Sequence, residues 1–453
     1  MVFRIFTSCK SGMRCIMILM KKGTRCTICT GCGRCFGEFE NKINILSFSD
    51  ADIRDAKKPD AAKSKAARLP DPVICTDIGT TTIAMVLLDK KGNAVDSYTA
   101  VNPQGKYGAD VLSRIKAASD PGSLEDMKHL VRDVLKDGVR KFAGFLKVSD
   151  PSTGHATDHT SVSFADPVGD RTTDTGSDTV EDTCVSPEMY IAANTTMVYL
   201  LMGYDPSELG SAPFTASHTD GEEFELEADG VKVNCHILPG FSAFVGPDIY
   251  AGILATEMAG SEDYTLLCDL GTNGEIALGN SEKLYVTATA AGPAFEGGPL
   301  KGIWGADIIK IAALMLKEGK MDRTGLLLDP YFEEGITAGN VNLTQDSIRA
   351  LQLAKGAMKA GIDIICKKAG INFHDISRCI LSGGFGYYLD PEDAAEINLL
   401  PSELLGICTA GGNTALSGCL YYALGKRVNK KAEVINLADE SGFNDLYMNS
   451  LNF

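Results

Sequence analysis

From Val73 onward the chain alternates short apolar runs with polar, glycine-bearing turns, the rhythm of strands joined by tight loops. Two stretches share one layout. The apolar run Pro72-Val-Ile-Cys-Thr76 leads into Asp77-Ile-Gly-Thr-Thr-Thr82 and then into a second run, Ile83–Leu88. Likewise, Tyr264-Thr-Leu-Leu-Cys268 leads into Asp269-Leu-Gly-Thr-Asn-Gly274 and then Glu275–Leu278. The first stretch continues through a Lys90–Asn93 turn to a third strand at Ala94–Val101. Helical periodicity appears at Ser123–Leu146, near 306–317 and at 345–369. Asn194 or Thr195 caps a further helix, and an apolar small-residue helix runs from Pro247 to about Ala259. The strand at Cys379–Leu381 ends in Ser382-Gly-Gly-Phe-Gly386, Thr409–Ala415 opens the last large helix, and a strand near Val434 and a helix from Phe443 close the chain. A device repeated about two hundred residues apart points to a duplicated α/β domain rather than a solenoid. Three antiparallel strands around the first loop differ from a Rossmann start, and neither loop carries a GxGxxG or a P-loop lysine motif.

The repeated loops have readable chemistry. Gly79 and Gly271 let the backbone turn tightly and approach a ligand. Thr80, Thr81 and Thr82 in one loop, and Thr272, Asn273 and Gly274 in the other, offer hydroxyls and backbone N–H groups to phosphate oxygens. Asp77 and Asp269, each at a strand end, suit a hydrated magnesium ion. Two such loops facing each other can clamp a polyphosphate. Gly383-Gly384 offers flat backbone for an adenosine ring, and Gly411-Gly412 caps the same pocket. Glu296 is the only carboxylate in the small-residue loop Thr289–Gly298, and is the candidate to orient an attacking water. Asp110 and Arg114 lie four apart on one helix face, either paired in solvent or turned to the cleft. Lys355 and Lys359 are also four apart; one faces the nucleotide, or both lie on the surface.

The amino-terminal part is different. Cys26, Cys29, Cys32 and Cys35 recur every three residues with small residues between them, which gathers four thiolates in one compact loop. In a chain with fourteen cysteines and no secretion signal, such clustering indicates metal chemistry, and iron–sulfur more than zinc. Cys26, Cys29 and Cys32 with one further cysteine resemble a four-iron run; Cys26-x5-Cys32-x2-Cys35 resembles a two-iron loop that needs a distant ligand, Cys29 or Cys75. The organisation expected is a cysteine-rich segment at 1–40, an Ala-rich charged linker at 41–72, one lobe at 73–260 with a polar insertion at 149–184, and a second lobe at 261–453. His155 and His159 fall in the insertion and read as residues of a solvated loop.

Length and charge narrow the class. The 453 residues suit two or three domains, and 44% hydrophobic with 23% charged residues is ordinary globular composition. A net charge of −16 argues against general nucleic-acid binding. The longest early apolar run, Cys15–Met20, is far short of a membrane span and of a signal-peptide core, so a cytoplasmic protein without membrane partners is expected.

The order of Asp77-Ile-Gly-Thr-Thr-Thr, Asp269-Leu-Gly-Thr-Asn-Gly and Leu381-Ser-Gly-Gly-Phe-Gly resembles phosphate-1, phosphate-2 and adenosine of the sugar kinase/heat-shock chaperone/actin superfamily, a duplicated ribonuclease H-like fold. More narrowly, Asn102-Pro-Gln, Gly108–Ile115, Val245-Gly-Pro-Asp-Ile249, Ala291–Gly297 and Thr409–Thr414 resemble the ATP-dependent reductive activators of corrinoid proteins. That resemblance spans roughly residues 73–453 outside the polar insertion. It implies an iron–sulfur cluster, [2Fe-2S] or [4Fe-4S], joined to an ATPase body that binds ATP and Mg2+. It also implies a corrinoid-protein partner whose cob(II)alamin is reduced to cob(I)alamin for methyl transfer, an electron donor such as a ferredoxin or flavodoxin, and a homodimer as one expected assembly. The family's ferredoxin module is a longer β-rich domain followed by a middle domain; here the cysteine segment is about forty residues and the middle domain is expected to be missing. Competing readings are an activator of a 2-hydroxyacyl-CoA dehydratase, a small-molecule kinase of the same fold, and a non-enzymatic nucleotide-gated module with structural zinc.

Overall fold

The computed structural model describes residues 72–89, 92–146, 186–271, 273–292, 305–338, 341–383, 386 and 389–453. The four clustered cysteines, the linker up to residue 71, the polar insertion, Thr272, Glu296 and Gly384 lie outside the described residues.

The first sheet comprises β1 (Val73–Ile78), β2 (Thr82–Leu88), β3 (Ala94–Val101), β4 (Glu188–Ala193), β5 (Glu222–Ala228) and β6 (Val231–Ile237). Its order is β3-β2-β1-β4-β6-β5, with β1 to β3 an antiparallel meander and β4 and β6 parallel to β1. The second lobe carries β7 (Tyr264–Leu270), β8 (Gly274–Gly279), β9 (Leu284–Thr289), a small hairpin of β10 (Ile336–Ala338) and β11 (Val341–Leu343), then β12 (Ile376–Ser382), β13 (Cys408–Gly412) and β14 (Glu433–Ile435). Its main sheet runs β13-β12-β7-β8-β9-β14. Stripped of edge strands β5 and β14, both sheets follow one order, in which a three-strand meander is extended by two parallel strands beside its first member. The duplicated ribonuclease H-like body is therefore present.

Eight helices matter for the site: α1 (Val111–Ala117), α2 (Pro121–Leu146), α3 (Thr195–Met202), α4 (Pro247–Thr256), α5 (Gly305–Lys317), α6 (Gln345–Ala369), α7 (Thr414–Ala423) and α8 (Phe443–Asn449). Met127, Val131, Leu135, Val139, Phe142 and Leu146 recur every three or four positions along α2, so one stripe of it is buried against the first sheet. Helix α6 covers the second sheet in the same way, through Leu351, Met358, Ile362 and Ile365.

One helix of each lobe crosses to the other. Helix α7 packs Ala415, Leu416, Cys419 and Leu420 against Val73, Cys75, Val86 and Leu88 of the first sheet. Helix α4 packs Ile249 and Ile253 against Leu267, Ala277 and Val286 of the second. The two helices touch at backbone distance, since a Cβ added at Gly418 would lie 2.0 Å from Ala251 O. Cys75 is wholly buried in this shared core, and burial pushes its thiol pKa up.

Candidate functional site

Both aspartate loops lie at strand ends of the two meanders. In the first, Gly79 N–H donates to Thr82 O at 2.9 Å, which closes the turn. Three side chains, two of them buried and Asn194 half-buried, hold its carbonyls and hydroxyls from behind. Asn102 Nδ2 donates to Gly79 O at 2.9 Å, while its Oδ1 accepts from Gln104 N. Asn194 Nδ2 donates to Thr80 Oγ1 at 3.1 Å, and its Oδ1 caps α3 by accepting from Met197 N. Arg114 donates from Nη2 to Thr80 O at 2.7 Å and from Nε to Gly108 O at 3.0 Å. Arg114 is only 1% exposed. Asp110 turns the other way and caps α1 through Ser113 N at 2.8 Å. The Asp110–Arg114 surface pair is therefore replaced by a cap and a buried cation beneath the loop.

The second loop turns through Gly271 N–H to Asn273 O at 3.1 Å. Ser382, at the end of β12, donates its hydroxyl to Asp269 Oδ2 at 2.8 Å. Gly383 follows with φ +90°, and a Cβ there would lie 2.4 Å from Leu270 O and 2.7 Å from Asp269 Oδ1. Only glycine permits so close an approach of the strand-to-glycine segment to the loop. Gly274 is buried beneath Met358 and Thr289, so its missing side chain serves packing under α6. Gly411 packs on Ile380, and Gly412, at φ +66°, turns the chain into Asn413.

Asn413 brings the halves together. Its Nδ2 donates to Asp77 Oδ2 at 2.7 Å across the lobe boundary. Two further carboxylates join Asp77 and Asp269: Asp248 in the first turn of α4, and Glu275, the cross-strand neighbour of Asp269. Burial raises the pKa of Asp77 to about 7, with the Asn413 amide opposing the rise and Asp269 adding to it. Asp248 rises to about 7 through burial and the charges of Asp269 and Asp77. Burial also raises Asp269 against the Ser382 hydrogen bond, and raises Glu275 well above the usual range, with Asp248 and Asp269 contributing. Four carboxylates that disfavour one another's charge are a ready place for a cation. Among the described residues no three metal-binding side chains converge tightly enough to ligate one ion directly. The donor set therefore fits a cation met through water, the mode magnesium prefers.

The two helix lysines are engaged elsewhere, and Lys355 is not on the surface. Lys355 is wholly buried and donates to Asn452 O beneath the Phe453 ring, and Lys359 pairs with Asp363 at 2.6 Å. Asp248, Glu275 and Asn413 escape assignment from sequence, whereas Asn194 caps its helix as expected and Arg114 takes the cleft side of its two expected placements. The shared signal of the first three is a polar residue at a helix start or strand end beside a small-residue turn.

Such a body of two equivalent lobes, with paired aspartate loops at their junction, defines the actin/sugar-kinase/heat-shock-chaperone class of fold. The comparisons with known proteins narrow this. Residues 73–154 and 175–261 match the family model for the RACo middle region, and residues 263–301 and 299–453 match the one for the C-terminal domain of RACo, the ASKHA domain. The chain belongs to this family of reductive activators of corrinoid proteins. The expectation of a missing middle domain is thereby corrected: the first lobe is that region, unrecognised because its motifs read as half of one ATPase body. The chain is 26% identical to the corrinoid activation enzyme RamQ of Eubacterium limosum, over 83% of this chain and 69% of that protein. It is 24% identical to the [Co(II) methylated amine-specific corrinoid protein] reductase of Methanosarcina barkeri, over 53% of this chain and 54% of that one. Among solved structures, a reductive activator for corrinoid, iron-sulfur protein aligns with a TM-score of 0.66 at 25% identity, covering 86% of this chain and 67% of the other. No helix among the described residues is long and apolar enough to cross a membrane.

Proposed function

We propose that the chain binds Mg–ATP between its two aspartate loops and uses the resulting lobe movement to drive an electron onto the cobalt of a partner corrinoid protein, taking cob(II)alamin to cob(I)alamin. The observation that carries this reading is the meeting of Asp77 and Asp269 at the lobe junction, with Asn413 bridging to Asp77. The Gly79–Thr82 and Gly271–Gly274 turns hold the phosphate chain from the two sides. Asp77 and Asp269 hold the hydrated cation, and the backbone around Gly383, Gly384, Gly411 and Gly412 receives the adenosine. Glu296 orients the attacking water. Phosphoryl transfer in such a site is mainly positioning and charge neutralisation, which these residues supply. A magnesium ion, when bound, screens the phosphate charge. Cys26, Cys29, Cys32 and Cys35 hold an iron–sulfur cluster, which supplies one-electron chemistry when present. The electron comes from a ferredoxin- or flavodoxin-type donor. A conformational input is required because each tenfold against a one-electron couple is about 59 mV.

The test is anaerobic reduction of a cob(II)alamin protein by the reduced full chain, followed by its optical spectrum with and without Mg–ATP. Cob(I)alamin is expected only with Mg–ATP, and neither Asp77→Ala nor Asp269→Ala should form it. Equal reduction without nucleotide, or full ATP-dependent activity in both variants, refutes the assignment.

A further inference from the structure

The Asn413 side chain makes two hydrogen bonds that serve different lobes. Its Oδ1 accepts from Leu416 N at 2.8 Å and caps α7; its Nδ2 donates to Asp77 Oδ2 at 2.7 Å. The cap assigns the amide, because only the oxygen can accept from the helix N–H, which leaves the nitrogen for the carboxylate. The backbone enforces the arrangement. Gly412 turns at φ +66°, and Asn413 sits in extended geometry at the start of α7. Further along, Gly418 lies against the Ala251 backbone, so α7 cannot slide along α4 without moving the lobes. On its own strand Asp77 follows the buried Thr76, and near it stand Asp248 of α4 and Asp269 of β7, with Glu275 of β8 beside Asp269. No other side-chain donor to Asp77 is seen among the described residues.

We propose that Asn413 is a positioning residue: it holds one oxygen of Asp77 so that the other faces the phosphate site, and it does so only while the lobes keep this spacing. Closure of the lobes and orientation of Asp77 are then one event. Hydrolysis cannot run ahead of the shape presented to the partner. This inference rests on the nucleotide reading above and adds the residue that couples site to shape.

Three substitutions separate the cap from the bridge. Asn413→Ser and Asn413→Thr both keep a helix cap. Both side chains are too short to cap and reach Asp77 together, and neither adds a charge beside its carboxyl. Asn413→Ala removes both functions. In the full chain with Mg–ATP, Asn413→Ser and Asn413→Thr are expected to keep Tm within a few degrees and KM within about twofold, while kcat falls about tenfold or more. Asn413→Ala should lose Tm as well. If the unsubstituted chain hydrolyses no ATP, the nucleotide reading itself fails. If it does hydrolyse ATP and both capped variants match its kcat, the bridge is idle and this inference alone is overturned. A drop in Tm large enough to account for the lost turnover in both capped variants overturns it equally.

Discussion

Arg114 shows how much one side chain's direction decides. Four residues after Asp110 on a polar helix, it has the spacing of a surface ion pair, yet it lies at 1% exposure with its guanidinium on Thr80 O and Gly108 O. A planar fork of donors suits two carbonyls at once, which an ammonium cannot imitate. Arg114→Met should therefore lower unfolding free energy by about 2–4 kcal/mol and weaken nucleotide binding, and Arg114→Lys should not restore either; urea midpoints and binding titrations measure both. Lys355 gives a pH prediction. Burial and the neighbouring Lys359 charge push its pKa down from 10.5 to about 7. Between those values the unfolded chain binds the extra proton, so this group's contribution makes stability rise with pH from about 7 toward 10, by up to about 1.4 kcal/mol per pH unit. In Lys355→Met that rise should vanish. Asn452 O keeps a donor, Asn398 Nδ2 at 3.2 Å, so the substitution leaves no orphaned carbonyl. Equal pH slopes of the urea midpoint in the two proteins would contradict the shift.

At the scale of elements, strands and long helices are the most legible. The third strand at Ala94–Val101 and the helix over 345–369 coincide with β3 and α6 because alternation and helical periodicity are uninterrupted there. The hairpin of β5 and β6 goes unread, although Asp229-Gly230 between alternating segments is a hairpin turn signal and both residues adopt positive φ. Its edge strand carries Glu222, Glu223, Glu225 and Glu227, a charge density that masks the alternation of Phe224 and Leu226. The four neighbouring carboxylates are half legible. Asp77 and Asp269 sit in repeated motifs, whereas Asp248 and Glu275 lie beside them only through folding. The α4–α7 crossing is legible as small residues alone, and its closeness is a matter of tertiary placement. Gly418→Ala should cost at least about 1–3 kcal/mol, because the clash is with Ala251 backbone and no side chain can rotate out of the way. A calorimetric Tm unchanged from that of the parent chain would show that the helices can separate freely.

At the scale of the whole molecule, the proposed function divides the chemistry between the two-lobed body and the cysteines Cys26–Cys35. Cys32→Ser is expected to abolish the iron–sulfur absorbance while nucleotide affinity stays within about twofold; a retained chromophore would remove Cys32 from the ligand set. The lobes themselves are less separable. The two family models part between residues 261 and 263, which invites a cut there. Yet α7, encoded near the end of the chain, covers Val73, Cys75, Val86 and Leu88 at the beginning of the first sheet, and α4 repays the cover on the second. A fragment ending at 261 would expose that apolar strand face to water. The boundary visible to sequence comparison is thus not a boundary of cooperative folding. The two regions have to be synthesised, inherited and recombined as a pair, because each supplies the other's missing wall.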